Sequence, residues 1–128
     1  MFSSLDCYHF GSTEKGLLAV EGKLVKGVKM EDANKAVDEE IQKIQAELVN
    51  DDELQKVKNK TESVIAFEDM SVMSRATSLA NYELLGDANL MNTELDKYQA
   101  ITVEDIQAQS RIVFDETNSN TMHYYSKN

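Results

Sequence analysis

The chain has no proline and no tryptophan, and only one cysteine, two histidines and five glycines in 128 residues. A lone cysteine excludes an internal disulfide framework, and Cys7, set among polar and aromatic neighbours, reads as a strand residue rather than a nucleophile. With His9 and His123 in separate segments, no helix carries H-E-x-x-H or H-x-x-E-H, the spacings at which zinc ligands and a general base converge. The few glycines form no G-x-S-x-G, no phosphate loop and no G-x-G-x-x-G, so acyl-transfer, nucleotide and dinucleotide chemistry have no sequence support. Basic residues are scarce too: 13 against 23 acids gives a net charge of −10. That balance repels phosphate backbones and anionic lipid, and the bases are scattered rather than gathered in a stripe, so nucleic acid is excluded as a partner. No apolar run approaches the roughly 20 residues of a membrane span. The opening Met1-Phe2-Ser3-Ser4-Leu5-Asp6-Cys7 has neither a basic region nor an apolar core of the secretory kind, which leaves the compartment open.

What is present is globular in composition: 41% hydrophobic and 28% charged residues over a length that suits one domain, residues 1–128. Two β-like segments, Leu5 to Phe10 and Leu17 to Lys26, flank the turn-forming Gly11-Ser12-Thr13-Glu14-Lys15-Gly16. In the second segment Leu18, Val20 and Leu24 share one face and Glu21 and Lys23 the other, predicting one covered face and one wet face. From Glu31 to Val49, Ala33, Ala36, Val37, Ile41, Ile44 and Leu48 recur at steps of three and four and form the apolar stripe of a helix. Asn50-Asp51-Asp52-Glu53 supplies caps and negative charge for the start of the next helix. That helix keeps its period through Leu54, Val57, Thr61, Val64, Ile65, Val72, Ala76, Leu79 and Leu84 to a glycine stop at Gly86, with a kink expected near Asp69-Met70-Ser71. A short helix follows over Leu90 to Tyr98. A second opens at Thr102-Val103-Glu104-Asp105, a capping box with Asp in place of Glu, and runs through Val113. Thr121 to Ser126, with Tyr124 and Tyr125, reads as a closing strand. The expected order is β-β-α-α-α-α-β: an α+β fold with a small, mainly antiparallel sheet and helices layered on one face.

The remaining chemistry is thin. Paired terminal strands would bring His9 and His123 together with Cys7, yet strand histidines without local ligand spacing read as structural or exposed. The pairs Asp38-Glu39, Glu39-Glu40 and Asp51-Asp52 fall on polar helix faces and caps, not in the buried setting a catalytic dyad needs. Asn59-Lys60-Thr61 matches a glycosylation acceptor but falls in mid-helix. Met70, Met73, Met91 and Met122 read as core filler. Arg75 and Tyr82, about two helical turns apart, could project together toward a partner, or could be a solvated Arg and a half-buried Tyr.

Several phrases, in order, resemble the pitrilysin/insulinase-type zinc peptidase family. Gly16-Leu17-Leu18-Ala19-Val20-Glu21-Gly22 looks like its glycine-led apolar strand. Ala33 to Ile44, followed by Asp52-Glu53-Leu54-Gln55-Lys56-Val57-Lys58, is similar to its helix and next helix start. Arg75-Ala76-Thr77-Ser78-Leu79-Ala80 with Leu85-Gly86-Asp87 resembles the following helix and its stop, and Tyr98-Gln99-Ala100-Ile101-Thr102-Val103-Glu104-Asp105-Ile106 its "threonine, x, glutamate, aspartate, valine or isoleucine" helix opening. The resemblance spans about Gly16 to Tyr125 and implies the C-terminal, non-catalytic part of a half-domain. Zinc is then expected only in an N-terminal part of the parent, and this chain supplies no catalytic, cofactor-binding or metal-ligating residue. Inactive halves of that family can carry an Arg and a Tyr near the glycine-led strand; apolar residues such as Leu18 stand there, so that role is not carried over. The partners implied are the remainder of the parent, with a peptide substrate in the full protein, or a second copy. An interaction module that self-associates or binds peptide through a sheet edge is the alternative. A self-contained hydrolase using Cys7, His9 or an acidic cluster ranks third.

Overall fold

A computed structural model describes residues 1–11 and 15–125. Ser12, Thr13 and Glu14 of the expected turn, and Ser126 at the end of the expected closing strand, lie outside the described residues. The chain divides into two compact units, Met1–Glu47 with Gln107–Asn128, and Leu48–Ile106.

The first unit opens with strand β1 (Phe2–Phe10) paired antiparallel to β2 (Leu17–Leu24). Cys7 lies opposite Val20, Leu5 opposite Gly22 and His9 opposite Leu18, so these residues share one face. A bulge between Phe2 and Ser4 swings the Phe2 ring onto that same face, over Gly22. The expected covered face is covered only in part: Leu18 and Leu24 are half-buried, whereas Val20 is 42% and the neighbouring Leu5 50% exposed. On the other face Tyr8 and Phe10 meet edge to face, 4.9 Å between centroids, and the Tyr8 hydroxyl donates to Glu21 at 2.7 Å. That bond to a carboxylate raises the Tyr8 phenol above its ordinary value.

A turn closed by the Val28 N–H on the Val25 carbonyl, with Gly27 at φ 91°, leads into α1 (Met30–Ala46). The helix buries Ala33 and half-buries Ala36, Val37, Ile41 and Ile44, as the stripe requires; it ends before Leu48 and Val49, which the periodicity had included. Its C-terminus meets that of α5 (Val103–Val113) in a reciprocal cap. Ser110 Oγ donates to the Ile44 carbonyl and Arg111 Nε to the Gln45 carbonyl, two of the acceptors that α1 leaves without helical partners. Gln45 Nε2 in turn donates to the carbonyls of Phe114 at 3.2 Å and Ser110 at 3.5 Å. After a 3-10 turn at Glu116–Asn118, residues 121–125 form no strand; they are exposed and unpaired with β1 or β2. Tyr124 and Tyr125 have β-propensity, but propensity reports packing on a sheet, and the described sheet ends at two strands.

The second unit holds α2 (Asp51–Glu68), α3 (Val72–Leu84), α4 (Leu90–Ala100) and the opening of α5. Asn50 caps α2 by accepting from the Asp52 N–H at 2.9 Å. The single long helix expected over this stretch is two helices, separated at Asp69–Ser71. The break holds because Ser71 accepts from the Ser74 N–H and starts α3 afresh, making five helices in place of four. Gly86, at φ 105°, stops α3 with the paired bonds Asp87 N–H to Tyr82 carbonyl and Gly86 N–H to Glu83 carbonyl, a glycine C-cap as expected. Helix α2 is tied to α4 by Lys58 Nζ donating to the Gln99 carbonyl at 2.8 Å and Gln99 Nε2 to Glu62 at 3.4 Å. Among the described residues the class is α+β, with five helices and one two-stranded antiparallel sheet.

The capping box at α5 forms as its sequence predicts. Thr102 N–H and Oγ1 donate to Asp105 at 2.9 and 2.8 Å, while the Asp105 N–H donates to Thr102 Oγ1 at 3.1 Å. These bonds, the backbone one foremost, hold the Asp105 carboxyl below its ordinary value. A depressed carboxyl stabilises the fold above its unfolded-state value and loses that contribution as pH falls through the folded-state value. Urea unfolding is therefore expected to lose stability as the pH is lowered past 3.8, a loss that Asp105→Asn reduces. Thr102→Ala is expected to cost about 1 kcal/mol at neutral pH.

Candidate functional site

The helices of the second unit leave their apolar residues only partly covered, and two open grooves run between them. Facing residues of α2 and α4 form an open groove of about 450 Å³ lined by Val57, Thr61, Val64, Ile65, Glu94 and Tyr98, with Lys60 and Glu68 at its rim. A neighbouring groove of about 430 Å³ runs between the end of α3 and α4, past Tyr82, Leu85, Leu90, Lys97 and Ile101, and shares Glu94 and Tyr98 with the first. Helical spacing produces this: Val57, Thr61 and Val64 follow one another along a stripe of α2, and Glu94 and Tyr98 are one turn apart on α4. The grooves can accept apolar side chains, with Glu94 and Tyr98 as polar residues common to both, Lys60, Thr61 and Glu68 lining the first and Tyr82 and Lys97 the second. Glu94 and Tyr98, which the two grooves share, were not read as site residues from the sequence; Tyr98 entered only as the end of the short helix and the start of the phrase running to Ile106.

Residues singled out from the sequence are dispersed. Cys7 is exposed on β1. The His9 ring is folded over the ends of the turn: a Cβ placed on Gly11 would lie 2.2 Å from its Cε1, and one on Gly16 2.6 Å from its Nε2. His123 pairs instead with Asn34, whose Nδ2 is 2.7 Å from Nε2, a donor-to-acceptor contact when the ring carries its proton on Nδ1. Among the described residues no three His, Cys, Asp or Glu side chains are grouped to hold a metal ion. Asp51 and Asp52 occupy the first turn of α2, and Asp38, Glu39 and Glu40 an exposed face of α1. Asn59 accepts from Gln55 within α2. Arg75 is exposed on α3, whereas Tyr82 is half-buried in the second groove.

The methionines correct an expectation. Met91 is half-buried, but Met70, Met73 and Met122 are 78%, 76% and 89% exposed and fill no core. Met70 sits in the α2–α3 break, Met73 in the first turn of α3, and Met122 in the described C-terminal segment 121–125, which forms no strand. No family model matches the chain, and no curated protein matches it. Fold and grooves together define an α+β chain with open apolar surfaces and a dispersed set of reactive side chains.

Proposed function

We propose that the chain is a non-catalytic scaffold, the C-terminal part of a pitrilysin-type half-domain that forms wall rather than active centre of a peptide-binding chamber. The observation that carries this reading is how little each unit covers of its own apolar surface. Among the described residues Ala33 is the one buried hydrophobic residue of the first unit, and none is buried in the second. Val57, Phe67 and Leu84 stand 60%, 73% and 76% exposed on helices whose period calls for a packed face. Such surfaces suit a piece that completes its core against further chain. The ordered phrases from Gly16 to Tyr125 support the family, and in this reading zinc belongs to the N-terminal part of the parent.

Mixing the chain with the N-terminal remainder of its parent reading frame is expected to quench binding of an apolar dye and to raise the melting temperature, as open faces become covered. Unchanged dye binding and melting in the mixture would sink the scaffold reading.

A further inference from the structure

We propose that the outer edge of β1 pairs antiparallel with β1 of a second copy, joining two hairpins into one four-stranded sheet about a two-fold axis. Independently of the scaffold reading, the hairpin has the features of an unprotected edge. β1 is nine residues long, carries no proline and one charge, Asp6, and every residue after Phe2 is exposed. Edge strands are ordinarily guarded by lysines, prolines, bulges, short length or a covering element; β1 has no lysine or proline, and its one bulge lies at its start, between Phe2 and Ser4, leaving Leu5 to Phe10 regular. A two-stranded hairpin without a covering layer is also marginal in water, and added strands supply what it lacks.

Charge selects where a second copy can approach. Residues 1–26 hold three acids, Asp6, Glu14 and Glu21, against three bases, Lys15, Lys23 and Lys26, so the whole net charge of −10 resides on the rest of the chain. Helix-to-helix approach of two copies sets like charges together, whereas hairpin-to-hairpin approach does not. The pairing is self-complementary, as a two-fold interface requires. It sets the row Phe2, Leu5 and Cys7 of one copy beside the same row of the other, and with Leu18, Val20 and Leu24 doubles the apolar face that each hairpin leaves open. Registers that place Asp6 opposite its own copy are disfavoured by like charge.

The test combines light scattering and amide exchange on the full chain across a concentration series. Twice the chain mass is expected at high concentration. Because a hairpin bonds only the β1 amides that point at β2, the outward-pointing amides are expected to slow as the dimer forms. Leu5→Lys is expected to weaken the dimer about tenfold or more by setting a charge in the paired row, while Leu84→Lys, equally polar but on α3, leaves it intact. Protection of the inward amides in Leu5→Lys shows that its hairpin still forms. A monomer at every concentration, or a dimer whose outward β1 amides exchange as fast as in the monomer, would overturn the proposal.

Discussion

Gly16→Ala is expected to open the β1–β2 hairpin, at a cost of about 1–3 kcal/mol. The Cβ it adds would stand 2.1 Å from the Phe10 carbonyl oxygen. That oxygen is backbone, so relief requires the strand end to move and the Phe10–Leu17 pair to separate. Because a two-stranded hairpin is marginal in water, a cost of this size exceeds what its two strands can absorb. Gly11→Ala is the matched control. The atoms nearest its Cβ all belong to the His9 ring, a side chain that can turn away, so the effect is expected to stay within about 0.5 kcal/mol. Amide exchange of β1 and β2 reads both variants; equal protection in the two would show that the close approach to Phe10 does not matter.

The second large effect is expected at Ser110. It is 6% exposed, and its hydroxyl donates to the Ile44 carbonyl at 3.3 Å and the Gln107 carbonyl at 2.8 Å. Ser110→Leu adds bulk where α1 and α5 meet and removes the donor that satisfies the end of α1. The two terms together are about 2–4 kcal/mol. Ser110→Ala, which keeps the volume and loses only the bonds, is expected to cost about 1 kcal/mol. Helical circular dichroism in urea separates the two midpoints, and coincident midpoints would remove the packing part of this explanation.

What could be read from the sequence was what is decided locally. The Thr102–Asp105 box, the Asn50 cap and the Gly86 stop each lie within four residues of the groups they satisfy, and all three form. The α1 stripe was legible for the same reason, as a period within one helix. The break at Asp69–Ser71 was visible only as a kink, because the sequence shows a weakened period but not the Ser71 cap that restarts the helix. Longer-range features were not legible. The closing strand around Tyr124 needs a partner that no local pattern names, and β1 pairs only with β2. The fate of Met70, Met73 and Met122 depends on which helices pack, and a side chain at helical spacing is buried only if a neighbour arrives. Ser110 gave a small polar residue on the apolar side of α5 between Ile106 and Val113, a mark of close helix approach that its sequence context left ambiguous.

The scaffold reading meets its most direct test in peptide cleavage and bound zinc, measured on the purified chain alone and after mixing with the N-terminal remainder of its reading frame. The expected result is neither zinc nor cleavage from the chain alone, and zinc-dependent cleavage once the remainder is present. Stoichiometric zinc with peptide cleavage by the isolated chain would contradict it and return the chemistry to Cys7, His9 and His123.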